Sequence, residues 1–184
     1  MSGNYFTNPI EFLISTLFSL YILAVMLRFL LGLVRADFYN PVSQFLVRIT
    51  NPVLVPLRKV IPSVGKIDIP AILLMIVLQI ISLTLIFLLR GGGVPVSAVI
   101  IISLAQLVSL AINVFFFAII IQVILSWVNP GTYNPVTGLL YSLTGPILRP
   151  IQQLLPPIAG IDLSPLFALI GLQVLRMLIM PLLG

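Results

Sequence analysis

Residues 96–128 form a run of thirty-three residues that contains no charge, no glycine and no proline. As one helix this run is about 50 Å long, whereas the hydrocarbon core of a bilayer is about 30 Å thick. Three further apolar runs occupy residues 10–34, 71–89 and 164–183. Four such runs predict membrane-spanning helices, because the strands of a membrane β-barrel show alternating segments of about ten residues.

The composition excludes most soluble and catalytic classes of protein. Only 7% of the 184 residues are charged and the mean hydropathy is +1.27, whereas a soluble domain carries about 25% charged residues. The chain has no cysteine and no histidine, and its four acids are scattered. These absences remove the usual thiol, zinc and general-base chemistry. We therefore expect no enzyme activity, no catalytic residue, no cofactor and no metal site.

Basic residues predict the orientation of the chain. The polar-apolar stretches 35–70 and 129–164 hold six lysines and arginines, whereas only Arg90 lies between the second and third spans. Cytoplasmic loops carry an excess of lysine and arginine. We therefore expect both stretches in the cytoplasm and both termini outside it.

The chain repeats itself at an offset of 94 residues. Between positions 39 and 79, 15 of 41 residues are identical to their counterparts, including four prolines and an aspartate. Residues 1–93 and 94–184 are therefore predicted repeats, each with two spans around an amphipathic stretch, 39–68 or 133–162. Two spans return the chain to its starting side, so the repeats are parallel. The predicted fold is an all-α membrane protein of two parallel repeats, with about four transmembrane helices plus short amphipathic cytoplasmic helices.

Each amphipathic stretch is predicted to contain two helices of about ten residues. Asn40-Pro41 and Asn51-Pro52 both offer an N-cap followed by proline at the first helical position. The second copy shows prolines at 135 and 146. Helices of this length with basic residues lie in the membrane interface or pack beneath the spans. Asp68 and Asp162 precede the second and fourth spans, where we favour helix capping over binding of a cation or partner.

Four polar residues inside the predicted spans form two repeat-related pairs. Arg28 aligns with Gln122, and Gln79 aligns with Gln173. One hypothesis makes them an intramembrane polar seam between the repeats, because unpaired polar groups in lipid are costly and often functional. The alternative is ordinary hydrogen bonding between helices, with Arg28 reaching toward the interface. The alternative is the commoner role of such residues.

The repeated motifs resemble those of the YggT family of bacterial inner-membrane proteins. The resemblance is strongest in segments 126–130, 133–135, 143–151 and 156–165, and the first copy runs from 38 to 68. One departure is Gln152-Gln153, where the family usually has a basic pair. The repeat-motif residues of this chain are Tyr39, Asn40, Pro41, Pro52, Pro56, Arg58, Lys59, Pro62, Asp68, Tyr133, Asn134, Pro135, Pro146, Arg149, Pro150, Pro156 and Asp162.

The resemblance implies several functional themes, none of them enzymatic. Bacterial members are linked to osmotic-shock resistance and potassium uptake, some relatives to cell division or nucleoid distribution, and a plastid relative to haem attachment in a cytochrome. We expect an inner-membrane protein that supports osmotic-stress tolerance through potassium uptake. The alternative is a membrane assembly or scaffold factor that recruits partners through its amphipathic helices.

These interpretations also indicate which partners we expect. They are the lipid bilayer, a membrane protein of unknown identity and potassium. The basic residues Arg58, Lys59 and Lys66 are explained by contact with anionic lipid. We therefore expect no nucleic-acid partner.

Overall fold

Six α-helices follow one another in a computed structural model that describes residues 4–93, 95–128, 134–155 and 162–182. This architecture confirms the predicted all-helical fold. The helices are α1 (Asn4–Leu33), α2 (Pro41–Val60), α3 (Ile69–Leu89), α4 (Val96–Val128), α5 (Pro135–Leu154) and α6 (Ser164–Ile179), and a 3₁₀ turn covers Met180–Leu182.

Three helices are long and apolar enough to cross a membrane. They are residues Asn8–Leu33 of α1, the whole of α3 and the whole of α4, and they make the chain a membrane protein. The predicted fourth span is shorter than expected, because α6 has 16 residues and ends at Ile179. Its length is about 24 Å, somewhat less than a typical hydrocarbon core.

The two repeats share one order of elements. In each, a long apolar helix is followed by an amphipathic helix of 20 residues and then by a second apolar helix. Helix α1 packs against α3 and α2, and α4 packs against α6 and α5. The repeats meet mainly where α3 packs on α4, with smaller contacts of α5 with α1 and α2. Between membrane helices such packing relies on van der Waals contact and interhelical hydrogen bonds, since lipid is as apolar as the side chains.

The amphipathic stretches differ from the prediction, because each forms one continuous helix instead of two short ones. Helix α2 runs through Pro52 and Pro56, and α5 runs through Pro146 and Pro150. A proline lacks an N–H group and leaves the carbonyl four residues earlier without its helical donor. All four prolines are exposed, so those carbonyls lie on the side open to other donors. The opposite face of α2 is buried at Leu46, Thr50 and Leu54 and holds the helix together.

The predicted cap at Asn40 is confirmed, whereas the predicted cap at Asn51 is wrong, because Asn51 lies inside α2. The Asn40 side chain accepts a hydrogen bond from the Val42 N–H at 2.9 Å. Asn134 and Thr137 form a capping box in which each side chain accepts from the other residue's backbone N–H. A proline follows each asparagine at the first helical position, where its missing N–H costs nothing.

Residues with a left-handed backbone terminate the first two apolar helices. After α1, Arg35 takes a left-handed backbone with φ of 54°. The Ala36 N–H then reaches the Leu31 carbonyl at 2.9 Å, which satisfies a carbonyl at the helix end. After α3, Gly91 adopts the same kind of left-handed backbone, with φ of 70°, and as a glycine it has no Cβ that would oppose this conformation. Arg90 pairs there with Glu11 of α1 at 2.9 Å.

Candidate functional site

The four predicted seam residues do not form hydrogen bonds with one another in the described part of the chain. Arg28 lies on α1, Gln79 on α3, Gln122 on α4 and Gln173 on α6. Three of them line three separate cavities. The structure therefore divides the predicted seam into separate sites.

Arg28 and Gln122 each bond to a threonine of the amphipathic helix in their own repeat. Arg28 Nη1 donates to Thr50 Oγ1 at 2.5 Å. In the second repeat, the Thr144 hydroxyl and the Gln122 side-chain oxygen form the matching contact. Both threonines are almost fully buried, and they are 94 residues apart. The repeat thus preserves one polar link between its first span and its amphipathic helix.

A second polar link also occurs once in each repeat. Arg58 forms an ion pair with Asp68, ten residues further along the chain. Gln152 Nε2 donates to Asp162 at 2.8 Å, over the same separation. The predicted capping role is wrong for Asp68, whose side chain makes no cap hydrogen bond. Asp162 does accept from the Ser164 N–H, at 2.8 Å.

Hydrogen bonding sets the charge of Asp162. Burial tends to raise the pKa of this carboxyl, but hydrogen bonds from Ser164 and Gln152 outweigh burial and lower the pKa below 3.8. Both interactions favour the ionised form. Asp162 is therefore negatively charged at neutral pH.

These links border two cavities at equivalent places in the repeats. The first-repeat cavity, of about 270 Å³, is lined by Arg28, Arg58, Lys66 and Asp68 together with apolar side chains of α1 and α2. The second-repeat cavity, of about 690 Å³, has Gln122, Gln152 and Asp162 at the matching positions. The first-repeat cavity carries three positive groups and one negative group. In the second-repeat cavity, Asp162 is the one charged residue among the described lining residues.

A third cavity lies between α1, α3 and α4, where the repeats meet. This interface cavity has a volume of about 350 Å³ and combines apolar and polar side chains. Its polar residues are Ser15, Ser19, Gln79, Ser82, Gln106, Ser109 and Asn113. All of them are uncharged, and they supply hydroxyl and amide oxygens. Such oxygens accept hydrogen bonds or coordinate hard cations.

Gln79 and Gln106 join the two repeats inside the interface cavity. Gln79 Nε2 donates to the Gln106 side-chain oxygen, across the contact of α3 with α4. Nearby, the buried hydroxyl of Ser109 has no hydrogen-bond partner among the described residues. The cavity therefore contains polar atoms that a water molecule or a cation can satisfy.

Sequence reasoning missed every polar residue of the interface cavity except Gln79. A signal was present, because Gln106, Ser109 and Asn113 recur at helical spacing along the long run. The repeat offset gives a second signal. Ser15 aligns with Ser109, and Ser19 aligns with Asn113.

Gln173 occupies a different environment from its partner Gln79. Helix α3 packs on both α1 and α4, whereas α6 packs on α4 and α5 and makes no contact with α1 in the described ranges. The twofold relation of the repeats therefore does not extend to this interface. Gln173 lies half-buried on α6, outside the interface cavity.

The described repeat-motif residues lie along α2 and α5 and in the turns that flank these helices. Asn40 is buried and donates through Nδ2 to the Pro135 carbonyl at 2.6 Å, which connects the two motif copies. Arg149 lines a further cavity with Val34 of α1. Tyr39 and Lys59 are exposed on the first copy. The predicted motif residues Tyr133 and Pro156 lie outside the described residues.

The described part of the chain has no cluster of the carboxylate, imidazole or thiol side chains that bind divalent metals. Within those ranges, no group of three His, Cys, Asp or Glu residues lies close enough to hold a metal ion. The polar sites above instead offer neutral oxygens in the interface cavity and positive groups in the first-repeat cavity.

Comparisons with known proteins identify the family. The CCB3/YggT family model matches residues 7–89 and again 101–183. An uncharacterized protein of Pseudomonas aeruginosa is 49% identical over 170 residues, which cover 91% of this chain and 86% of the relative. A protein of Vibrio alginolyticus from the proC 3′ region is 44% identical over 179 residues, 96% of each chain. The Escherichia coli K12 protein YggT is 37% identical over 173 residues, 92% of this chain and 88% of the relative.

The two matches of the family model are offset by 94 residues, as the internal repeat is. No solved structure matches the chain. On the family model and these relatives, the chain belongs to the CCB3/YggT family.

Proposed function

We propose that this protein supports tolerance of osmotic stress in the bacterial inner membrane, and that potassium passes through its interface cavity. The role in osmotic stress and potassium uptake comes from the family resemblance. The observation that carries the proposal is the cluster of uncharged oxygen donors between two repeats. Potassium-selective sites use neutral oxygens that replace part of the hydration shell of the ion.

The interface cavity suits a hydrated monovalent cation in size and chemistry. Its volume of about 350 Å³ holds several waters, since one water takes about 30 Å³ in the liquid. Gln79 and Gln106 lie on helices from different repeats. A shift of one repeat against the other would therefore open or close the polar contact between them.

We further propose an orientation of the chain in the membrane and the absence of enzyme activity. With α2 and α5 in the cytoplasm, the basic residues of α2 face anionic lipid and both termini lie outside. The transport role requires no bond-making chemistry. Its partners are lipid, potassium and a membrane protein of unknown identity.

Growth under osmotic stress tests this function. A bacterial strain without its own family member is supplied with wild-type protein, Gln79→Leu/Gln106→Leu or Gln173→Leu, and growth is followed at high external osmolarity. We expect the wild type and Gln173→Leu to restore growth and the double variant to fail. Equal rescue by all three proteins, at equal membrane abundance, would contradict a role for the interface cavity.

A scaffold role is the second candidate, and one observation favours it. Phe38 and Tyr39 form an edge-to-face pair with ring centroids 6.0 Å apart, and Tyr39 is 86% exposed. Exposed aromatic residues are frequent anchors in protein interfaces. Under this alternative Tyr39→Ala abolishes rescue of growth, whereas Gln79→Leu/Gln106→Leu retains it.

A further inference from the structure

The first-repeat cavity concentrates positive charge beside the amphipathic helix α2. Arg28, Arg58 and Lys66 come from α1, α2 and the following turn, and all three line one cavity of about 270 Å³. Asp68 supplies the single opposing charge and already pairs with Arg58. We propose that this cavity binds a phosphate-bearing anion.

Arg28 has donors to spare for such a ligand. Its hydrogen bonds in the described part of the chain, to Thr50 and to the Val47 carbonyl, both leave from Nη1. A guanidinium has five N–H donors in a planar fork that matches phosphate oxygens. The Thr50 contact fixes the orientation of the guanidinium while Nε and Nη2 remain available.

The second repeat supplies an internal comparison. Its cavity has Gln122 in place of Arg28 and Gln152 in place of Arg58, while the aspartate is retained. Both polar links persist with glutamine. The arginines of the first repeat are therefore not needed to make these links, and after the pairing of Arg58 with Asp68 the cavity keeps two positive charges in excess.

The phosphate has two possible sources, and both share the chemistry of the site. Phe29, Leu31 and Leu46 line the cavity beside the charged groups, which suits a lipid whose headgroup phosphate adjoins its acyl chains. A free phosphate in solution meets the same arginines. The experiment below separates these two sources.

The test measures thermal stabilisation of the purified full-length protein in neutral detergent. The probes are phosphatidylglycerol, phosphatidylcholine and inorganic phosphate, each titrated separately. The test variant is Arg28→Gln/Arg58→Gln, which gives the first cavity the residues that the second repeat already accommodates. The matched control is Arg48→Gln/Lys59→Gln, which removes two exposed charges of α2 that do not line the cavity.

We expect saturable stabilisation of the wild type and of the control variant by an anionic probe. The apparent Kd of Arg28→Gln/Arg58→Gln should rise at least about tenfold, since each basic residue near an anionic surface contributes measurably. Phosphatidylglycerol acting without inorganic phosphate assigns the site to a lipid headgroup. Stabilisation by inorganic phosphate assigns it to a free phosphate. Phosphatidylcholine should stabilise every variant equally.

Two results would overturn the proposal. One is an equal response of the wild type and Arg28→Gln/Arg58→Gln to both anionic probes. The other is an equal loss in the control variant, which would indicate diffuse attraction to the surface of α2. If the double variant fails to fold, Lys66→Gln in the exposed turn replaces it, with an expected rise in Kd of about fivefold. No rise in that variant would likewise refute the site.

Discussion

The side-chain amide of Asn40 donates a hydrogen bond of 2.6 Å to the carbonyl oxygen of Pro135. Asn40 caps α2, and Pro135 is the first residue of α5. The bond therefore joins the two copies of the Tyr-Asn-Pro motif at the contact between the repeats. Asn40 itself is 7% exposed, and its loss removes the partners of the Val42 N–H and the Pro135 carbonyl.

The first prediction concerns the two capping asparagines. Asn40→Ala should lower the free energy of unfolding by about 2 kcal/mol, because it removes both a helix cap and a partly buried hydrogen bond between the repeats. Asn134→Ala is the matched control and should cost about 1 kcal/mol, since Asn134 is an exposed cap. Denaturation in detergent measures both values. Equal losses would show that the contact with Pro135 contributes nothing.

The spans and their pairing into repeats were predictable from the sequence. Apolar runs fix the spanning helices because lipid satisfies no backbone polar group. The offset of 94 residues predicted that α2 and α5 correspond, and the asparagine caps followed from local chemistry. These features depend on residues close together in the chain, or on direct comparison of two segments.

The remaining features depend on packing that no local pattern determines. Proline spacing predicted a break at Pro52, but the buried face of α2 carries the helix through it. Gln79 pairs with Gln106. The repeat counterpart of Gln106 is Phe12, so comparison of the two repeats did not predict this contact. Gln173 lacks the equivalent neighbour because α6 does not pack on α1 in the described part of the chain.

The second prediction tests the contact between Gln79 and Gln106. A double-mutant cycle with Gln79→Leu, Gln106→Leu and the combined variant should give a coupling energy of about 0.6 to 1.7 kcal/mol, as for other hydrogen bonds between membrane helices. Unfolding in detergent supplies the free energies. A cycle of Gln79→Leu with Gln173→Leu should give no coupling, and additive effects in both cycles would contradict the contact.

The third prediction concerns the stability of the fold at acid pH. The folded pKa of Asp162 lies below its ordinary value of 3.8, so the ionised form stabilises the fold. This contribution is present above pH 3.8 and is lost as the pH falls through the lowered value. Wild-type stability should therefore fall more steeply than that of Asp162→Asn as the pH drops below 3.8. Parallel pH profiles of the two proteins would refute the assignment.

The fourth prediction concerns orientation. Single cysteines at Gln44, which is exposed on α2, and at Ser97, which is exposed at the start of α4, report opposite sides of the membrane. In intact cells an impermeant thiol reagent should label Ser97→Cys and spare Gln44→Cys. Ser43 is unsuitable as a label site because its side chain is buried. The reverse labelling pattern would place α2 and α5 outside the cytoplasm.

Potassium flux into proteoliposomes measures passage of the ion through the interface cavity. The wild type is compared with Gln79→Leu/Gln106→Leu. Gln173→Leu is the control, because it makes the same kind of change outside the interface cavity. We expect flux above protein-free vesicles for the wild type and for Gln173→Leu, and loss of most of that flux in the double variant. Wild-type flux no greater than that of empty vesicles, from folded and inserted protein, would contradict passage of potassium through the interface cavity.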